Sequence, residues 1–175
     1  MNDNCRFKDV EEIFEGRLRG NQLMLSGKGL NAEEARLLWQ SPRMQEISWL
    51  DLDDNNLEDQ GVQDMVECAY LENVQYLNLN HNSVSDEGLK FLAKAKHLGK
   101  LKRLHLKENL INGEGLISLF NSETLVSLTT FQIDEGWTCK KKGRVALQAA
   151  ELIYVSFFES TTYSYLCAGS ARNSS

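Results

Sequence analysis

Three stretches of this chain superimpose without a gap: Ile47-Ser48-Trp49-Leu50-Asp51-Leu52-Asp53-Asp54-Asn55-Asn56-Leu57, Val74-Gln75-Tyr76-Leu77-Asn78-Leu79-Asn80-His81-Asn82-Ser83-Val84 and Leu101-Lys102-Arg103-Leu104-His105-Leu106-Lys107-Glu108-Asn109-Leu110-Ile111. Each reads L-x-x-L-x-L-x-x-N-x-L, with Ile or Val admitted at the apolar sites. The step between them is 27 residues, as at Leu50, Leu77 and Leu104. The same step links Gly61, Gly88 and Gly115, and Met65, Leu92 and Leu119. Agreement at so many columns marks a repeat architecture, in which stacked units share one core.

Moving outward, one step earlier finds Leu23, Leu25 and Leu30, but Lys28 in the Asn column and Glu34 in the Gly column. One step later finds Leu128, Phe131 and Ile133, with Gly136 where Asn belongs. Three full coils over 47–127 are therefore flanked by degenerate ones within a repeat region of 20–136. Terminal repeats depart from the pattern because they must close the core against water.

Each column has a physical task. The L-x-L pair alternates with period two, so both leucines point inward and their neighbours outward. Asn55, Asn82 and Asn109 stand where the chain turns out of the strand. A buried amide offers two donors and one acceptor, enough to satisfy backbone groups of its own coil and the adjacent one. Neither Lys28 nor Gly136 can do so. The second half of each coil has helical spacing. Val62, Met65, Val66 and Ala69 share one face, as do Leu89, Leu92 and Ala93, and then Leu116, Leu119 and Phe120. Ser85 and Asn31 precede acids as capping residues, and Pro42, the sole proline, stops the first helix.

On these residues the sequence resembles the ribonuclease-inhibitor type of leucine-rich repeat, with coils about one residue shorter than that type usually has. The resemblance covers roughly residues 20 to 136. It implies an α/β fold: a curved leucine-rich-repeat βα solenoid with a parallel sheet on the concave face and helices on the convex face. The motif specifies architecture rather than function. Outside it, residues 1–19 read as an N-terminal cap with Phe7, Val10, Ile13 and Phe14 inward. Residues 137–160 read as a C-terminal cap helix, clearest over Arg144 to Phe158, and 161–175 as a flexible Ser/Thr-rich tail.

The chain has 175 residues, 42% hydrophobic and 25% charged, with a net charge of −6, which argues against nucleic acid or an anionic membrane as partner. No apolar run is long enough for a membrane span, and the first residues carry no apolar signal segment. The expectation is a cytoplasmic protein with reduced thiols, which leaves delivery into a host cell open. Cys5, Cys68, Cys139 and Cys167 form no C-x-x-C pair, and Cys68 falls in a helical pattern as a small core residue. No H-x-x-x-H, H-E-x-x-H or G-x-S-x-G occurs, so no catalytic residue, metal or cofactor is expected. Gly113-Glu114-Gly115 reads as a loop entering a helix. Asp51, Asp53 and Asp54 read as a solvated acidic patch rather than a cation site, and the basic run Lys140 to Arg144 as a solvated helix entry.

The strand residues that flank the leucines carry the functional expectation. Down the stack they form three columns: Gln22, Trp49, Tyr76, Arg103, Thr130; then Met24, Asp51, Asn78, His105, Gln132; then Ser26, Asp53, Asn80, Lys107, Asp134. Adjacent Trp, Tyr and Arg on an exposed sheet are the residue types that dominate protein interfaces. The bland alternative is that Trp49 and Tyr76 pack side by side and stabilise the sheet. The expected partner surface comprises Trp49, Asp51, Asp53, Tyr76, Asn78, Arg103, His105 and Lys107, and the expected partner is another protein. Its oligomeric state is read as a monomer, with a homodimer through apolar Leu152 to Phe158 as the alternative. A third possibility is an enzyme site around His105, Asp51 and Cys139, supported only by the presence of those residue types.

Overall fold

A computed structural model of the chain describes residue 7 and residues 9–112, 114–134 and 137–140. The elements run α1 (Val10–Phe14), β1 (Leu18–Arg19), β2 (Gln22–Met24), α2 (Ala32–Trp39), a 3-10 turn (Pro42–Glu46), β3 (Trp49–Asp51), α3 (Glu58–Val66), β4 (Tyr76–Asn78), α4 (Asp86–Leu92), β5 (Arg103–His105), α5 (Glu114–Phe120), β6 (Thr130–Asp134) and β7 (Trp137–Lys140). The strands form one sheet in sequence order. From β2 to β6 every pairing is parallel and in the register of the repeat, Leu23 beside Leu50, Leu77, Leu104 and Phe131. The outermost strands, β1 and β7, pair antiparallel.

The repeat columns become layers of the core. Leu23, Leu50, Leu77 and Leu104 are fully buried, as are Leu25, Leu52, Leu79 and Leu106. Each such leucine stabilises the coil by about 1.5–3 kcal/mol relative to an exposed one. Helices α2 to α5 pack side by side in chain order and supply Leu38, Met65, Leu92 and Leu119 to the same core.

The Asn column binds neighbouring coils together through buried backbone. Asn55 donates through Nδ2 to the carbonyls of Leu25 and Leu52, at 2.9 and 2.8 Å, and accepts at Oδ1 from the Leu30 amide. Asn109 repeats this with the Leu79 and Leu106 carbonyls and the Val84 amide. Every asparagine thus serves its own coil and the one before it. The first coil has no preceding repeat to serve, which explains how Lys28 is tolerated there.

A second ladder runs between the helices. Asp59, in the first turn of α3, accepts from the Ser85 and Gly88 amides and the Ser85 hydroxyl. One coil on, Asp86 accepts from the Asn112 and Gly115 amides. Each carboxylate thereby caps the start of the next coil's helix, where unpaired amides favour negative charge. The Gly column makes this approach possible. A Cβ on Gly88 would lie 2.5 Å from Asp59 Oδ1, and one on Gly115 2.8 Å from the Asp86 Cα. In α2, Glu34 fits instead: it is buried and closes a capping box with Asn31.

The ends differ from the middle. Helix α1 turns Ile13 and Phe14 inward, and Phe7 is buried with them in the core. Residues 137–140 form strand β7 where a cap helix was expected to begin; pairing with β6 satisfies the sheet edge that a helix would leave open. Gly136, the helix expected over Arg144 to Phe158, the apolar segment Leu152 to Phe158, the tail, and Cys5 and Cys167 lie outside the described residues. The stripe expected in α3 is one residue set too long. The helix ends at Val66, Ala69 is exposed, and Cys68 beyond the helix end is buried instead. Its thiol donates to the Trp39 carbonyl at 3.0 Å. Among the described residues no helix is long and apolar enough to cross a membrane.

Candidate functional site

The strand face opposite the core carries an aromatic centre with charge on either side. Trp49 and Tyr76 are partners in the β3–β4 register, and their rings stack at 3.6 Å with planes 14° apart. Arg103, the β5 partner of Tyr76, holds its guanidinium 5.4 Å from both ring centroids. His105 meets Tyr76 edge-on at 4.9 Å, with its Nδ1 3.3 Å from the tyrosine Oη. The 27-residue repeat thus places four side chains from three coils in one contiguous cluster. A cation over aromatic faces is itself stabilised by about 0.5–1 kcal/mol at such exposed sites.

Beside this cluster lies a polar network. Asp51 Oδ1 accepts from the Asp53 amide at 3.2 Å and from Asn78 Nδ2 at 3.0 Å. Asn78 Oδ1 in turn accepts from the Asn80 amide, and Asn80 Oδ1 from the Lys107 amide. Asp53 Oδ1 lies 2.9 Å from His81 Nδ1, and Ser26 makes a long contact with its other oxygen. His81 has φ +50°, as Asp54 has +52° and Glu108 +51°, the left-handed position just before each column asparagine. That backbone swing carries the His81 ring toward Asp53. Sequence reasoning left His81 and Ser26 out of the site. The shared left-handed position with Gly27 was the signal for His81, since glycine at one step of a column marks the backbone demanded at the others.

The three columns are not uniformly exposed, as period-two alternation alone suggested. Tyr76 keeps 9% of its surface and Asn78 8%, so both count as buried. Trp49, Asp51, Asp53, His105 and Lys107 are half-buried, and Arg103 is exposed. The cause is crowding across closely spaced strands: Trp49, Arg103 and His105 cover the tyrosine between them. Asn55, Asn82 and Asn109 lie apart from this face, in the turns. Among the described residues no group of three or more His, Cys, Asp or Glu side chains could hold a metal ion.

Burial shifts three of these groups. Asp51 is held above the usual carboxylate range, chiefly by desolvation and against the hydrogen bonds it accepts. Tyr76 is raised by burial and then by Asp51. His105 is lowered from its ordinary 6.5 by burial, and then by Arg103 and Lys107. A histidine depressed in the folded state gives stability that is present above the unfolded value and lost as pH falls through the folded one. The melting midpoint is therefore expected to drop on acidification below about 6.5, with part of that drop absent in His105→Gln. Equal acid sensitivity of the two proteins would show that His105 contributes nothing to it.

A family model described as leucine-rich repeat matches residues 50–66, 70–93 and 97–120. No curated protein matches the sequence. The matched segments coincide with β3 to α5 and the turns between them, the part of the molecule that bears the aromatic cluster and both ladders. These matched segments are leucine-rich repeats, and the described residues fold as an α/β leucine-rich-repeat solenoid.

Proposed function

We propose that this chain is a non-enzymatic protein-interaction module that holds a partner protein on its strand face, as an adaptor, a substrate-recognition subunit or a microbial effector would. The observation that carries the reading is the stack of Trp49, Tyr76 and Arg103 at the centre of the open face of the sheet. Leucine-rich repeats commonly mediate protein–protein interaction, and repeat solenoids offer extended surfaces for it. Arg103 makes no ion pair among the described residues, so its guanidinium, held over the two rings, presents its charge to the open face. The coils are of the ribonuclease-inhibitor type in this reading, supported by return legs that are true α-helices of 7 to 9 residues. The protein acts as a cytoplasmic monomer, with residues 1–19 as its cap.

A second reading has one observation in its favour: Tyr76 is nearly covered by its own neighbours, as a purely stabilising stack would be. Affinity capture from lysate with Trp49→Ala and Arg103→Ala beside the wild type separates the two. Each variant is expected to stay folded and to lose about 1–2 kcal/mol of partner affinity, a factor of roughly 5 to 30. A purely stabilising stack predicts a lower melting midpoint for Trp49→Ala and unchanged capture by both.

A further inference from the structure

Charge is segregated along the strand face from β2 to β5. From β2 to β4 its charged side chains are Asp51 and Asp53, with Asp54 at the adjoining turn; the remaining positions there, Gln22, Met24, Ser26, Trp49, Tyr76, Asn78 and Asn80, are uncharged. On β5 and just past it come Arg103, His105 and Lys107, and the acid Asp134 stands at the end of β6. The acids have little internal compensation. Both hydrogen bonds to Asp51 end on Oδ1, so among the described residues Oδ2 receives none. Among the described residues the Asp53 carboxylate meets His81 and, at 3.5 Å, Ser26. No described lysine or arginine lies within ion-pair distance of Asp51, Asp53 or Asp54.

This layout constrains whatever covers the aromatic stack. Asp51 stands two residues from Trp49 on the same strand and face, about 6–7 Å along the chain. A partner that closes over Trp49 and Tyr76 therefore also removes water from Asp51, which is already half-buried. Covering a carboxylate without a compensating charge costs more than one interface aromatic returns. The complementary surface must bring a cation to Oδ2 of Asp51 and to Asp53. Half-buried Met24, the register partner of Asp51, and the rim of Trp49 offer apolar support for the stem of a long basic side chain.

We infer that the occupant of this face is a basic segment of a partner protein, which seats an arginine or lysine side chain between Asp51 and Asp53 against Trp49. The inference rests on the strand-face reading above. A planar guanidinium suits the site best, since it can bridge two carboxylates and lie along an indole.

The test is selection of a displayed library of random peptides on the 175-residue chain, with Trp49→Ala and the double variant Asp51→Asn/Asp53→Asn as parallel baits. Both asparagines keep an acceptor oxygen, and unchanged melting midpoints confirm that the baits are folded. The expected result is a pool enriched in Arg and Lys that depends on Trp49 and binds the double variant at least about tenfold more weakly. A Trp49-dependent pool that is neutral or acidic, or that ignores the double variant, overturns the basic occupant and leaves the strand-face reading standing. A pool that binds Trp49→Ala as well as wild type overturns both.

Discussion

Replacing Asn82 by alanine is expected to destabilise the protein by about 2–4 kcal/mol, because it strands more than one buried backbone group. Asn82 is wholly buried, at 0% exposure. Its Nδ2 donates to the Leu52 carbonyl at 2.8 Å and the Asn80 carbonyl at 2.7 Å, and its Oδ1 accepts from the Leu57 amide at 3.4 Å. Two of those groups belong to the preceding coil, so the change loosens the joint between repeats as well as its own turn. Asn109→Ala should cost less, because Asn109 is half-buried and water can replace part of what is lost. Urea unfolding of both variants gives the comparison. An Asn82→Ala midpoint equal to wild type would refute the ladder.

Gly115→Val is expected to cost a similar amount, about 2–4 kcal/mol, for a steric reason. A Cβ at this position would lie 2.7 Å from the Leu89 Cβ, 2.8 Å from the Asp86 Cα and 2.9 Å from the Asp86 carbonyl oxygen. Two of those atoms are backbone of α4, so no side-chain rotation relieves the contact. The branched γ carbons add to it, and α5 must draw away from α4. That movement breaks the hydrogen bond from the Gly115 amide to Asp86 and spoils the cap. Gly115→Ala should be milder, because alanine regains helix propensity worth about 1 kcal/mol. Calorimetric melting orders the three proteins as wild type, alanine and valine; equal midpoints would mean that the helices do not pack as closely as described.

The repeat made most of this architecture legible. Leucine spacing at 50, 77 and 104 sets strand register directly, since parallel coils of equal length stack column on column. The helix faces at Leu89, Leu92 and Ala93 and at Leu116, Leu119 and Phe120 are buried as the 3.6-residue period requires. The reading failed where periodicity stops. Ala69 falls on the right helical angle but beyond the end of α3, where the chain is already turning back toward β4. The acidic ladder was missed for a different reason. Asp59 and Asp86 are one step apart, yet the same column holds Ala32 and Gly113, so two occurrences did not stand out as a pattern.

The strand face was legible in membership but not in depth. Alternation says which way a side chain points and nothing of what its neighbours cover. Tyr76 points outward as expected and is still buried, because it sits between Trp49 and Arg103 and against His105. His81 joins Asp53 through a left-handed turn residue, a conformation that pattern reading does not assign to histidine.

In the proposed function a partner sits on the strand face and not on the helix side. Hydroxyl-radical footprinting of the chain alone and bound to its captured partner tests this directly. Met24, Trp49 and His105 are expected to lose reactivity on binding, while Phe91 in α4 and Tyr70 in the turn after α3 keep theirs. Protection of Tyr70 and Phe91 with Met24, Trp49 and His105 unchanged would contradict it.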